Sequence, residues 1–229
     1  ATIIGARPQF VKAAVVSRLI SLDSKINEII IHTGQHFDNN MSNIFFDELE
    51  IPKPDVNLGI GGGSHGQNTG KMVEQIENIL IIEKPDWIIV YGDTDSTLAG
   101  AIAAVKLNIP IAHVEAGLRS YNRSMPEEIN RVLTDHISSI LFVPTNNSII
   151  NLKKEGIFGK KVINVGDVML DAVNYYKAYA KEPKILNFSS NSSFVLCTIH
   201  RAENTDNKIR LENIVKTLNK LSKHIKIVL

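Results

Sequence analysis

Short apolar segments rich in β-branched residues alternate with longer helical patterns along almost the whole chain, and this alternation narrows the possible folds. Helices of about 10–15 residues between strands indicate βαβ units around a mostly parallel sheet. Because the strands are apolar on both faces, we predict an α/β fold with a doubly wound parallel sheet covered by helices on both sides. The predicted strands are 2–4, 28–33, 87–91, 109–115, 140–144, 161–165, 194–199 and 225–229. The predicted helices are 9–22, 41–49, 67–83, 96–107, 126–139, 147–155, 167–180 and 208–223.

The charge composition argues against several classes of partner. The chain has 25 Lys and Arg residues against 24 Asp and Glu residues, so no excess charge attracts nucleic acid or an anionic membrane. No apolar run approaches the roughly 18 residues of a spanning helix, and the N-terminus lacks a signal pattern. The single cysteine, Cys197, suits a reducing compartment. We therefore expect a cytoplasmic protein that binds neither nucleic acid nor membrane.

A polar segment interrupts the alternating pattern near the C-terminus. Residues 178–193 are rich in Asn and Ser and include Pro183, which is typical of a linker or loop. Only a strand, a helix and a strand follow, too few to close a second sheet. We expect residues 1–170 to form one domain and residues 171–229 to contain a linker and the incomplete start of another.

Polar and charged side chains follow four of the predicted strands. Ligands of open parallel sheets bind beyond the carboxyl ends of the strands, so we expect these side chains to share one rim. An alternative is that such residues only cap the next helix. Capping explains Asp95, which a helical run follows at once, better than it explains Asp93 or Glu115. The rim residues are Arg7, His32, Gln35, His36, Asp93, Asp95, His113, Glu115 and Arg119.

The segment "MPEEINR" (125–131) predicts a helix start with two possible meanings. Glu127 and Glu128 in the first turn match the helix dipole, and Arg131 is spaced to form a surface ion pair with either. The crowding of charge from Arg119 to Arg131 indicates instead a phosphate or sugar site. His200 and Arg201, which follow another strand, are also placed to meet a phosphate.

Three tempting cofactor and metal motifs fail on their context. "GGGSHG" (61–66) matches G-x-G-x-x-G, but the residues before it are a poor strand. "GQNTGKM" (66–72) lacks the Ser or Thr that follows the lysine of a phosphate-binding loop. "HVE" (113–115) has no P-C-x-x-C after it, and no pair of histidines has helical zinc-ligand spacing. We predict neither a cofactor nor a metal.

Seven segments, in order, resemble the non-hydrolysing UDP-N-acetylglucosamine 2-epimerases. The resemblance covers essentially the whole chain and implies a GT-B-like fold, in which two Rossmann-like domains face each other across a cleft. This chain would supply the first domain and only the opening of the second, because the family's later D-S-G-G-type uridine- and phosphate-binding loop has no counterpart in it. The segments are GARPQFVKA, HTGQHFDNNMS, YGDTDSTLAGAIAA, HVEAGLRS, MPEEINRVLTDHIS, NVGDVMLDAV and TIHRAEN.

The resemblance implies inversion at C2 of a UDP-sugar. The C2 proton leaves together with UDP, a 2-acetamidoglucal forms, and UDP adds back as a proton reaches the opposite face. Acid/base groups are then needed on both sides of the ring. By resemblance the catalytic residues are Asp93, Glu115, Glu127 and His200, whereas Glu128 is structural and Asp95 starts a helix. Also by resemblance, the substrate-binding residues are Arg7, Lys12, Gln35, His36, Arg119, Arg131 and Arg201.

The choice of substrate stays open between two branches of the family. Gln9 replaces the acid of the commonest G-T-R-P-E motif, and Asp38 and the glycine-rich segment 59–66 replace contacts of allosterically activated members. These departures resemble the branch acting on UDP-2,3-diacetamido-2,3-dideoxyglucuronate, and UDP-N-acetylglucosamine is an equal candidate. A homodimer is implied by the family. Two rival functions are a GT-B-type glycosyltransferase, with "DTD" (93–95) as a metal-binding motif, and an inactive sugar-nucleotide-binding relative.

Overall fold

A computed structural model of the chain describes residues 1–35, 52–181, 193–199 and 202–229, with side chains in the last range from residue 204. The predicted helix at 41–49 lies outside these residues. The chain divides into two compact units, Ala1–Ala178 and Tyr179–Leu229. No helix in the described ranges has the length and apolar character needed to cross a membrane.

The first unit alternates strands and helices in the predicted way. Its elements are β1 (Thr2–Ile4), α1 (Arg7–Ile20), β2 (Ile30–His32), β3 (Val56–Asn57), α2 (His65–Glu83), β4 (Ile88–Tyr91), α3 (Asp95–Lys106), β5 (Ile111–Val114), α4 (Pro126–Ile137), β6 (Ile140–Val143), α5 (Asn146–Lys154), β7 (Val162–Asn164) and α6 (Val168–Tyr176). A short 3₁₀ turn, Lys177–Tyr179, follows α6. The second unit contains β8 (Phe194–Leu196), α7 (Ala202–Thr205), α8 (Lys208–Leu221) and β9 (Lys226–Val228), and β8 and β9 pair in parallel.

The sheet of the first unit has seven parallel strands in the order β3-β2-β1-β4-β5-β6-β7. The order reverses between β1 and β4, so the connections leave these two strands toward opposite edges. Such a switch point opens a crevice at the carboxyl ends of the strands, where doubly wound proteins bind ligands. The predicted doubly wound parallel sheet is confirmed.

Alternation within the strands sends side chains into two separate cores. Ile3 of β1 packs on one face with Met72 of α2 and Ala101 of α3, whereas its neighbour Ile4 packs on the other face with Phe10 of α1. Burying each of these large side chains contributes about 1.5–3 kcal/mol. The sheet therefore stays fixed between two helical layers, and its strand ends are held in constant positions.

The structure departs from the sequence pattern in two places: it adds a short strand, and the division between its compact units lies beyond residue 170. The segment around β3 was expected to be a poor strand, but Val56 and Asn57 pair with β2, and Asp55 adds a hydrogen bond by accepting from the Ile30 amide at 2.7 Å. The strand is two residues long, too short to show a period. The expected domain boundary at residue 170 falls inside α6, whose Ala172 is buried in the first core and whose Tyr175 ring lies 4.0 Å from the Arg18 guanidinium carbon.

Candidate active site

The turn after β4 carries Asp93 at the edge of the crevice. Gly92 has φ +65° and directs the chain into α3, whose cap is Thr94: its hydroxyl accepts from the Thr97 amide at 3.3 Å. Asp93 itself is ion-paired through Oδ2 with Arg131 of α4, and its side chain is 30% exposed. The structure therefore holds Asp93 in place with a single cation and leaves it open to solvent.

Asp95 does not have the capping role that the sequence suggested. Thr94 performs it one residue earlier, and the Asp95 side chain is buried. One carboxylate oxygen of Asp95 accepts from the side-chain Nδ2 of Asn130 at 3.0 Å, and the other lies 2.7 Å from Nδ1 of His65. Asp95 thus links the starts of α2 and α3 to α4.

The turn after β5 places Glu115 beside the Asp93 turn. Glu115 has φ +70°, a conformation that non-glycine residues seldom adopt and that is concentrated at functional sites. Its carboxylate is ion-paired with the buried Lys12 of α1. A Cβ at Gly92 would lie 3.2 Å from both Glu115 Oε2 and Lys12 Nζ, so this ion pair lies directly against the Gly92 turn. The two strand-end carboxylates are therefore neighbours, as the sequence predicted.

The two glutamates at the start of α4 face different surroundings. Glu128 is 1% exposed and accepts from the Ser120 amide at 2.9 Å, the Tyr121 amide at 3.0 Å and Arg131 at 2.6 Å. Burial disfavours its ionised form, but these hydrogen bonds outweigh burial and hold the pKa of Glu128 below its usual value. Glu127 is exposed and faces a cavity. The structural role predicted for Glu128 fits this arrangement.

A cavity of about 220 Å³ lies at the switch point of the sheet. Three of the predicted site residues, Gln35, Asp93 and Glu127, line it, and Glu115 lies next to its Asp93 wall. Gln35 also accepts from the Ser96 amide at 3.1 Å and its hydroxyl at 2.7 Å, which fixes its carboxamide. The remaining lining residues are Ala6, Pro8, His65, Thr94, Asp95, Pro126 and Asn130. We call Asp93, Glu115 and Glu127 the rim carboxylates.

Arg119 lies away from this cavity, and the structure argues against the substrate contact predicted for it. Its side chain is 1% exposed; Nε and one terminal nitrogen donate to Glu155 at 2.7 Å, and the other terminal nitrogen donates to Asp135 at 2.7 Å. Burial lowers the pKa of Arg119, but Glu155 and Asp135 outweigh this and raise it. All of its guanidinium nitrogens are engaged within the protein, so its role is structural.

His113, expected at the rim, is instead fully buried below it. Its Nδ1 lies 2.7 Å from Asp135 Oδ1 and its Nε2 lies 2.7 Å from the Gly92 carbonyl oxygen. The Gly92 carbonyl can only accept, so Nε2 donates to it, while Nδ1 contacts the Asp135 carboxylate, which also accepts from the Gly117 amide at 3.0 Å. Burial raises the pKa of Asp135, but His113 and Arg119 outweigh this and lower it. We call His113, Arg119, Asp135 and Glu155 the buried network.

Comparison with known proteins identifies the family. The family model for UDP-N-acetylglucosamine 2-epimerase matches residues 19–229. The chain belongs to this family.

Several relatives in this epimerase family align over nearly all of the chain. It is 58% identical over 222 residues to a Pseudomonas aeruginosa UDP-2,3-diacetamido-2,3-dideoxy-D-glucuronate 2-epimerase, covering 96% of this chain and 62% of that protein. It is 50% identical to a Methanocaldococcus jannaschii UDP-N-acetylglucosamine 2-epimerase, covering 93% of this chain and 60% of that protein. A crystal structure of an enzyme from M. jannaschii with UDP-GlcNAc and UDP superposes with a TM-score of 0.90 at 46% identity, covering 99% and 64% of the two chains. The chain therefore spans about three-fifths of the length of these epimerases.

Other site residues predicted for the epimerase stay predictions. His36, His200 and Arg201 lie outside the described residues. Arg7 is exposed at the start of α1, next to Pro8 of the cavity wall. Among the described residues, no cluster of three or more His, Cys, Asp or Glu side chains is arranged to hold a metal.

Sequence reasoning missed His65, Asn130 and Asp135. His65 lies in a glycine-rich segment that was considered as a dinucleotide motif and as a departure from allosterically activated members, and its partner Asp95 is 30 residues away. Asn130 and Asp135 sit on α4, where nothing in the local pattern distinguishes them from ordinary helix residues. Only a structure that brings α4 to the ends of β4 and β5 shows what they contact.

Proposed function

We propose that the protein is a UDP-sugar 2-epimerase, which inverts C2 of a UDP-2-acetamido sugar. The observation that carries the proposal is the position of the rim carboxylates: Asp93 and Glu127 line one cavity at the switch point, and Glu115 lies against the Gly92 turn next to Asp93. Family membership supports the same conclusion.

The reaction needs one carboxylate to take up the C2 proton and one acid to return a proton, each with an oxygen available to the substrate. A carboxylate removes the C2 proton while the C1–oxygen bond to UDP breaks, giving a 2-acetamidoglucal and free UDP. The oxygen of UDP then forms a new bond to C1 as an acid delivers a proton to the other face of C2. Asp93 and Glu115 each pair with a cation through one oxygen, and the described residues offer no partner to the other oxygen. Each can therefore exchange a proton with substrate without leaving its position.

Two acetamido sugars are candidates for this substrate. The relative from P. aeruginosa carries a name that specifies a diacetamido glucuronate, and the one from M. jannaschii carries a name that specifies N-acetylglucosamine. The C2 chemistry is the same for both sugars.

The geometry argues against "DTD" as the metal-binding motif of a glycosyltransferase. Asp93 is paired with Arg131, and Asp95 is bonded to His65 and Asn130, so a metal ion at this motif would have to displace a cation and two hydrogen bonds. An arrangement in which both carboxylates already have protein partners suits proton transfer better than metal binding.

Deuterium incorporation tests the proposal. Full-length protein incubated with UDP-N-acetylglucosamine, and separately with the diacetamido glucuronate, in deuterated water is expected to place deuterium at C2, detected by NMR. Asp93→Asn serves as the control that should abolish exchange. Sugar transfer without deuterium at C2, or binding of both UDP-sugars without turnover, would show that one of the rival functions is correct.

The proposal extends to the state of the whole protein. From the family, we propose a cytoplasmic homodimer in which the second unit, Tyr179–Leu229, opens a second Rossmann-like domain. Analytical ultracentrifugation of the full-length protein tests the dimer, because a monomer at micromolar concentration would exclude it.

A further inference from the structure

His65 is held against the cavity by a buried carboxylate. It is the first residue of α2, and its side chain is 72% exposed while that of Asp95 is 8% exposed. Nδ1 of His65 lies 2.7 Å from Asp95 Oδ2, and Asn130 donates to the other Asp95 oxygen. Asp95 is not needed to cap α3, because Thr94 does so. Asp95 therefore has no capping role, and its buried carboxylate orients the exposed imidazole of His65.

The charges around the cavity make this imidazole unusual. Asp93, Asp95 and Glu127 line the cavity, and His65 is the one basic side chain among the described lining residues. Arg131 is not among the described lining residues, and its guanidinium pairs with Asp93 and Glu128. An uncharged sugar would need no further cation here, whereas a sugar with a carboxylate would bring another negative charge to an acidic wall.

We propose that His65 is a specificity-determining residue that recognises a carboxylate on the sugar of the substrate, as in a uronic acid. This inference rests on the proposed epimerase function and selects between its two substrate classes. Because Nδ1–H donates to Asp95, Nε2 is the nitrogen that meets the ligand, and the described residues offer Nε2 no other partner. In the proposed complex both ring nitrogens donate, Nδ1–H to Asp95 and Nε2–H to the sugar carboxylate, each in a charge-assisted hydrogen bond.

A purely structural role for His65 makes a different prediction. If the His65–Asp95 contact only secured the start of α2, its loss would affect charged and uncharged substrates equally. Recognition of a carboxylate affects the charged substrate alone and acts through KM. The two roles are therefore separated by comparing two substrates that differ only at C6.

The test uses full-length protein and a matched pair of substrates. One is UDP-2,3-diacetamido-2,3-dideoxyglucuronate, and the other carries a hydroxymethyl group in place of its carboxylate. For His65→Gln we expect kcat/KM on the acid to fall about tenfold or more relative to the neutral sugar, mainly through KM, as for a lost hydrogen bond between charged groups. His65→Lys, which keeps a cation, should restore part of the preference. The control is His224→Gln, the same change at an exposed histidine of the second unit.

Each outcome decides the inference separately from the epimerase proposal. Equal losses on both substrates, or no loss on either, would overturn the role of His65 while leaving the epimerase intact. A wild-type enzyme that prefers the neutral sugar would overturn it as well. A wild-type enzyme that epimerises neither sugar nor UDP-N-acetylglucosamine would refute the proposed function, and the inference with it.

Discussion

The rim carboxylates and Asp135 of the buried network are the same kind of side chain, yet their surroundings differ completely. Asp93 and Glu115 have side chains 30% and 18% exposed, and each pairs with one cation. Asp135 is fully buried and accepts from a histidine, a backbone amide and an arginine. A carboxylate whose acceptor positions are all filled can only hold structure, whereas one with an oxygen toward a cavity is available for proton transfer.

The two regions are also physically joined. His113 donates to the Gly92 carbonyl, next to Asp93, and Asp135 accepts from the Gly117 amide, two residues beyond Glu115. The buried network thus fixes both turns that carry the strand-end carboxylates. A site of this kind needs rigid support, because small displacements of a catalytic group reduce its rate. The network holds the two turns, and in the proposed function the rim carboxylates perform the chemistry.

The largest expected effect comes from breaking the buried network. Asp135→Asn removes the buried carboxylate that pairs with the Arg119 guanidinium and contacts His113, and we expect a loss of about 3–5 kcal/mol in the free energy of unfolding. Denaturant titration measures it. The same change at exposed Asp171 is the control, expected within about 0.5 kcal/mol of wild type. A loss below about 1 kcal/mol at Asp135 would mean that the network does not support the fold.

Changing a rim carboxylate should reduce turnover more than folding stability, the opposite of the effect expected at Asp135. Asp93→Asn and Glu115→Gln in the full-length enzyme are expected to lower turnover by about 100-fold or more, equivalent to about 2.7 kcal/mol of activation free energy. Asp93 and Glu115 are partly exposed and each pairs with a single cation, so the loss of folding stability should be smaller than for Asp135→Asn, whose carboxylate is fully buried. Steady-state rates and denaturant titration on the same samples check this. A destabilised but fully active variant would place that residue with the network instead.

Gly92 lies where the two regions meet, and Gly92→Ala sharpens the comparison. Its φ of +65° costs an alanine about 1–2 kcal/mol, and the new Cβ would lie 3.2 Å from Glu115 Oε2 and Lys12 Nζ. Gly156→Ala is a matched control, since φ is +80° there and no atom lies within 4 Å of the added Cβ. Similar stability losses with reduced kcat only for Gly92→Ala would assign the rate effect to the displaced ion pair. Equal kcat values in both variants would show that displacing the Glu115–Lys12 ion pair does not affect the rate.

The comparison also shows which features of the fold and the site could be predicted from the sequence. The sheet was predictable because strands and helices repeat over most of the chain, and Asp93 and Glu115 were predictable because they end adjacent strands. The roles of Asp95 and Arg119 were not, because their partners His65 and Glu155 lie 30 and 36 residues away. A strand end indicates which residue types reach the rim. Whether a charge there is neutralised depends on distant elements that the local pattern does not describe.

Glu127 and Glu128, adjacent in the first turn of α4, allow the same comparison between an exposed and a buried carboxylate. The expected effect on stability is the smallest of those predicted. The pKa of Glu128 is lowered in the folded protein, so its contribution to stability is present above its unfolded pKa near about 4.3 and is lost as pH falls through the folded pKa. Glu128→Gln should therefore reduce stability at neutral pH by about 0.5–1.5 kcal/mol and flatten the decline below pH about 4.3. Glu127→Gln, one residue away and exposed, should leave that decline unchanged while lowering turnover. Thermal unfolding followed between about pH 3 and pH 7, the range in which carboxyl groups titrate, measures both variants. If Glu127→Gln flattened the acid decline as strongly as Glu128→Gln, exposure would no longer separate the catalytic carboxylates from the structural ones.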